Sequence, residues 1–119
     1  MAKTQDTWTI ELPDVHPSLN SWGGKHWTKR NELHHYWRDM TFYAAKKAGL
    51  PKLKEPVEVF LTYYHPRTNV DLDNYTPKFI MDGLKLFFID DSIAHVKRLG
   101  WEFKKGDKRT VITIKRYAE

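Results

Sequence analysis

The sequence predicts a small α+β domain in which two main helices lie on a mixed β-sheet, in the order β-α-β-α-β-β. Three observations predict it. Short segments rich in β-formers alternate with two stretches of helical apolar spacing. The 119 residues suit a single domain spanning 1–119, and two domains would each have too small a core. A hydrophobic fraction of 40% is enough for a packed interior, and zero cysteines exclude a disulfide framework, a Cys-ligated zinc site and a thiol nucleophile.

Trp8-Thr9-Ile10-Glu11-Leu12 alternates apolar and polar and reads as the first strand, stopped by Pro13. Residues 13–27 hold Pro13, Pro17, Ser18, Asn20, Ser21, Gly23 and Gly24 and read as a loop with basic and aromatic content. From about Lys29 to Ala48, Leu33, Tyr36, Trp37, Met40 and Ala44 fall at helical spacing. Thr28 is the expected N-cap, and Gly49 followed by Pro51 the stop. Val57–Tyr64 is a second strand. Thr76-Pro77 places a capping residue before a proline at the first helical position, and the helix runs to about Leu86 or Phe87. Phe79, Ile80, Leu84 and Phe87 form its buried side. Ile93–Lys104 and Arg109–Arg116 read as strands joined by a tight hairpin at Lys105–Lys108.

Charge is unevenly spread. Residues 22–54 carry eight basic and two acidic side chains, and residues 95–119 carry eight and three. Between them, residues 66–92 carry three basic and five acidic. Basic flanks suit phosphates, and a carboxylate cluster suits a divalent cation among them, so the pattern fits an enzyme acting on a polyanion. The N-terminal Met1–Asp6 has no apolar signal core, and no apolar run approaches the ~20 residues of a membrane span. A cytoplasmic protein with no membrane partner is therefore expected.

The chemistry concentrates in the acidic island. Asp71 and Asp73 stand at i and i+2, which in extended chain project to one side while Leu72 points into the core. Asp90-Asp91 follows the helix that begins near Thr76. A helix of about ten residues is roughly 15 Å long, so convergence of both groups requires the chain after Leu86 to fold back along it. Converging carboxylates are hard ligands suited to Mg²⁺ or Mn²⁺. The alternative is that Asp71 and Asn74 are turn residues and Asp90-Asp91 a solvated turn. An EF-hand is excluded because its sixth position is Thr76 in place of glycine and Pro77 follows. Lys78, at the positive end of its helix, is unfavourable for the dipole and makes better sense as a phosphate ligand than as an i, i+4 partner of Asp82.

The six histidines show no zinc spacing, there is no Ser/His/Asp grouping, and no Gly-rich loop cradles a nucleotide cofactor. His34-His35 is expected on a helix surface. Trp22 and Trp27, beside Lys25, Lys29 and Arg30, suit either stacking on unpaired bases or packing.

The run Asp71-Leu72-Asp73-Asn74-Tyr75-Thr76-Pro77-Lys78, then Asp82-Gly83-Leu84 and Asp90-Asp91-Ser92, resembles the RusA-like Holliday junction resolvases of bacteria and their phages. The likeness extends to Leu12-Pro13 and Pro17-Ser18-Leu19-Asn20 and spans nearly the whole chain. It implies a homodimeric endonuclease that nicks four-way DNA junctions with Mg²⁺, Mn²⁺ being able to substitute, and leaves 5′-phosphate and 3′-hydroxyl ends. It maps the metal ligands onto Asp71, Asp73 and Asp91 and the essential lysine onto Lys78, with Asn74 and Asp90 in supporting places. Lys25, Lys29, Arg30 and Arg67 join Lys78 as expected DNA contacts. Two departures from the family pattern are present. Pro77 lengthens the Asn74-to-Lys78 spacing by one, and Asn69-Val70 stand where basic residues are common. The competing expectation from a different class is a non-catalytic DNA- or RNA-binding module with a structural acidic turn.

Overall fold

In the computed structural model, which describes residues 6–88 and 94–117 apart from the side chains of Leu19, Asn20 and Asp73, four strands form one mixed sheet. The strands are β1 (Thr7–Leu12), β2 (Val57–His65), β3 (Val96–Lys105) and β4 (Arg109–Arg116), in spatial order β1-β4-β2-β3. Helices α1 (Leu19–Gly23), α2 (Trp27–Lys47) and α3 (Lys78–Leu84) complete the α+β fold, with short 3₁₀ turns at Leu72–Tyr75 and Lys85–Phe87.

The expected β3–β4 hairpin is corrected by the pairing. β2 lies between the two strands, parallel to β3 and antiparallel to β4. The chain from β2 to β3 passes through α3, and a long helical crossover permits parallel neighbours where a short turn does not. The three-residue link after β3 instead steps across the end of β2, where the Gly106 N–H donates to the His65 carbonyl at 3.0 Å. A β-carbon on Gly106 would lie 3.2 Å from the Tyr64 ring. The apolar β2 and β4 take the centre, and the lysine-bearing β3 takes an edge, where charge discourages further pairing.

One sheet face is covered. Trp8, Ile10 and Leu12 of β1, Val59, Leu61 and Tyr63 of β2, and Ile112 and Ile114 of β4 are buried against α2 and α3. Alternation therefore holds in the central strands, as a half-buried sheet requires. In α3, Phe79, Ile80 and Leu84 are buried, and Phe87 just beyond, as expected from their spacing.

The 13–27 segment is not all loop, since α1 forms within it. α2 begins at Trp27 and is capped by the His26 ring, which accepts from the Thr28 N–H at 3.3 Å, so Thr28 is not the cap. Gly49, with φ +82°, ends the helix as expected. The buried stripe is Trp37, Thr41 and Ala45, while Tyr36 is exposed. The displacement follows from the tight approach of α3. A β-carbon on Gly83 would lie 2.5 Å from the Arg38 carbonyl oxygen and 2.7 Å from Thr41 Cβ. His34, Thr41 and Phe42 meet Asp82, Gly83 and Phe87 in rising order, so α2 and α3 run in the same direction.

Candidate active site

The acidic turn lies just past the carboxyl end of β2, the end at which parallel strands with a helical crossover present ligand sites. It is built differently from the extended pair expected. Asp71 is extended (φ −84°, ψ 118°), but Leu72–Tyr75 is a 3₁₀ turn, closed by the Asn74 N–H on the Asp71 carbonyl at 3.1 Å. Leu72 does not enter the core. It is 42% exposed, and its carbonyl accepts from the Trp101 indole at 2.9 Å.

The anchor is Tyr75. Its ring meets Phe103 edge-on at 5.0 Å and approaches His16 at 5.9 Å, Tyr63 at 6.3 Å and His65 at 6.5 Å. Beneath it is a buried polar pair, His16 Nε2 and the Tyr63 hydroxyl, 2.8 Å apart. His16 Nδ1 lies 2.9 Å from the Pro17 carbonyl, which can only accept, so Nδ1 carries the proton and the Tyr63 hydroxyl donates to Nε2. Burial strips solvation from the charged ring and lowers the His16 pKa to about 4, only partly opposed by the Pro17 carbonyl. Burial likewise pushes the Tyr63 hydroxyl far above its ordinary value. A neutral, fully bonded pair therefore ties the N-terminal loop to β2 under the acidic turn. Nothing in the sequence marks it, because no local pattern separates His16 from the other five histidines.

Thr76 (φ −57°, ψ 147°) separates the 3₁₀ turn from α3 and is not its cap. Pro77 holds the N-cap place, its carbonyl accepting the Met81 N–H at 2.8 Å. Lys78 is thus the first residue of α3 instead of the second, and it is exposed. Asp82 does not pair with Lys78; its carboxylate meets His34 Nε2 at 2.6 Å and links α3 to α2. His34 is accordingly part of the helix interface, while His35 is exposed.

The basic residues gather at the same end. α1 packs against both the 3₁₀ turn and α2, and the amino ends of α2 and α3 lie side by side. Lys25 and Lys29 are exposed, Lys29 with Glu32 at 3.7 Å. Arg30 is half-buried, its guanidinium 5.5 Å above the Trp22 ring. Trp22 is a packing residue. Its indole donates to the Arg30 carbonyl at 3.0 Å and sits edge-on to Phe79 at 5.6 Å. Trp27 is 60% exposed. Arg67 lies on a groove of about 350 Å³ whose wall includes Leu72. A larger hollow, about 750 Å³, is on the open sheet face around Phe60 and Leu99, away from the turn.

Asp71 is exposed and makes no side-chain cap bond to its turn, which leaves a carboxylate facing solvent. Asp90 and Asp91 lie outside the described residues, and so does the Asp73 carboxylate. Among the described residues no three metal-ligating side chains converge. The flanks of Asp90-Asp91 are held at the amino end of β2. Leu53 N–H donates to the Phe87 carbonyl, Val57 N–H donates to the His95 carbonyl, and Phe88 is extended. Val57 is four residues along β2 from Leu61, whose β3 neighbour Trp101 reaches Leu72. That separation is about 13 Å at 3.3 Å per residue.

No curated protein matches the chain. The family model for the endodeoxyribonuclease RusA matches residues 11–115, from the end of β1 through the acidic turn to the end of β4. The chain belongs to the RusA endodeoxyribonuclease family and is a DNA-cutting enzyme.

Proposed function

We propose that this enzyme resolves four-way DNA junctions by paired nicks, working as a Mg²⁺-dependent homodimer in the recombination and repair of cytoplasmic DNA. The observation that carries the reading is the placement of the acidic turn. Its exposed Asp71 stands at the carboxyl end of β2, while Lys78, the Lys25–Arg30 stretch and Arg67 belong to elements gathered at that end. Carboxylates surrounded by cations suit cleavage of a phosphodiester, because the cations hold the polyanion that bare carboxylates would repel. Membership in a nuclease family disfavours the non-catalytic module.

Family nucleases depend on a divalent metal, and the donor set here is of the right kind: hard carboxylate oxygen, exposed at Asp71, with no thiol in the chain and, among the described residues, no converging imidazoles. Asp71, Asp73 and Asp91 would hold the ion. For Asp91 to join the other two, the segment between Phe88 and Ala94 has to carry its carboxylate from the amino end of β2 toward the turn. Bound there, a divalent cation would supply Lewis-acid activation of a water and of the scissile phosphate. Lys78, exposed at the start of α3, would offset the charge that develops on the non-bridging oxygens. Asn74 closes the turn through its backbone, its N–H donating to the Asp71 carbonyl. A two-fold dimer sets two such sites on opposing strands of a symmetric junction.

The test is nicking of a synthetic four-way junction with and without Mg²⁺, with the oligomeric state measured by sedimentation. Paired nicks by a dimer, dependent on Mg²⁺ and absent on linear duplex, are expected. Paired nicks by a monomer, or equal cutting of linear duplex, would overturn the junction assignment.

A further inference from the structure

The groove beside the acidic turn has a composition that the proposed chemistry does not use. It runs between residues 67–72 and the carboxyl end of β3, the edge strand. Arg67, Lys104 and Lys105 supply its cations, and Leu72 and Phe103 contribute apolar lining. Glu102 is the acidic member, and it is already engaged, by the Thr62 hydroxyl at 3.4 Å and the Lys104 ammonium at 3.7 Å. Among the described residues neither Arg67 nor Lys105 has an acidic partner, and both are exposed. The groove is continuous with the catalytic turn at two points. Leu72, its wall, is the residue between Asp71 and Asp73, and Phe103 packs on Tyr75, which roots the turn.

We propose that this groove seats the sugar–phosphate backbone of the DNA strand that passes through the acidic turn, with Lys104 and Lys105 as phosphate contacts alongside Arg67. The inference rests on the DNA-cleaving reading and deepens it by assigning a path for the strand on one side of the cut. Cationic walls match the phosphates, and the apolar lining matches the sugar face of a strand with no requirement for base contacts. Contacts of that kind position a strand and carry no sequence information.

The experiment measures affinity for a synthetic four-way junction, without divalent cation so that none is cut, across a range of salt. The log–log slope changes by about 0.9 for each phosphate that the protein ceases to neutralise. Lys104→Gln/Lys105→Gln should therefore lower the slope by about 2, and Lys104→Arg/Lys105→Arg should restore it. Lys46→Gln/Lys47→Gln, at the far end of the 21-residue α2, roughly 30 Å from its start, should leave it unchanged. Lys105→Gln alone, lowering the slope by about 1, serves if the double variant does not fold. A groove variant with the wild-type slope, or a control variant with an equal drop, would overturn the assignment. If the wild type nicks junctions while the groove variant keeps its slope, the groove falls and the enzyme reading stands. If the wild type binds no DNA, both fall together.

Discussion

Replacing Tyr63 by phenylalanine removes one oxygen from beneath the acidic turn and tests how that turn is supported. Tyr63 is 0% exposed and His16 1%. Because Nδ1 of His16 is committed to the Pro17 carbonyl, Nε2 has a lone pair that only the Tyr63 hydroxyl serves, at 2.8 Å. Tyr63→Phe keeps every ring contact, including Phe103 at 5.1 Å, but strands that lone pair away from water. A buried acceptor left without a donor costs about 1–3 kcal/mol, more than the net worth of the bond itself. At a urea dependence of about 1–3 kcal/mol per molar, the unfolding midpoint should fall by about 1 M with the slope unchanged. Tyr75→Phe is the control. Among the described residues the Tyr75 hydroxyl has no hydrogen-bond partner, and its ring packing is kept, so the variant should stay within about 0.5 kcal/mol of wild type. Because His16 also touches Tyr75, Tyr63→Phe should raise the Mg²⁺ concentration needed for half-maximal nicking as well. A Tyr63→Phe protein as stable as wild type would refute the idea that a buried His16–Tyr63 bond supports the site.

Gly83→Ala should destabilise by about 1–3 kcal/mol in urea unfolding, because its β-carbon meets backbone at 2.5 Å and Thr41 Cβ at 2.7 Å; an unchanged midpoint would deny the close α2–α3 approach. Stability should also fall with acid through His16. Its folded pKa of about 4 is below the ordinary 6.5, so the unfolded chain binds the extra proton between those values. That contribution is intact above pH 6.5 and lost as pH falls to about 4, by roughly 3 kcal/mol. His16→Gln should flatten this part of the pH profile, and a slope equal to wild type would contradict it. Asp91→Asn should cost orders of magnitude in nicking and weaken the Mg²⁺ response, while Asp90→Asn costs clearly less, since neighbours in extended chain face opposite ways. The larger loss at Asp90 would reverse the assignment.

Much of the fold was legible because period and punctuation agree with packing. Trp8–Leu12, Val57–Tyr64 and Arg109–Arg116 all became strands, and Gly49 ended α2. What was not legible depended on tertiary partners. The three residues between β3 and β4 look like a hairpin turn, yet β2 separates the strands, because the helical crossover allows β3 to lie parallel on its other side. Alternation would turn Leu72 inward, but the aromatic cluster around Tyr75 supplies a better anchor three residues later, and the intervening chain winds into a 3₁₀ turn. Thr41 takes the fully buried place on α2, where a small residue fits beside Gly83, while Met40, Phe42 and Ala44 are only partly buried against the core. The motif Asp71–Asn74 and its basic surroundings stand out in the sequence as a candidate site, whereas the groove is visible there only as net positive charge over residues 95–119.

The central claim is that the acidic turn cuts DNA and that its carboxylates, separately from binding, do the work. The most direct test follows Mg²⁺-dependent nicking and binding of one synthetic four-way junction by wild type, Asp71→Asn and Asp73→Asn. The wild type should make paired nicks. Both variants should lose cleavage while binding the junction as tightly or more tightly, since each removes a negative charge that repels phosphates. Either variant cleaving at near the wild-type rate would contradict the account.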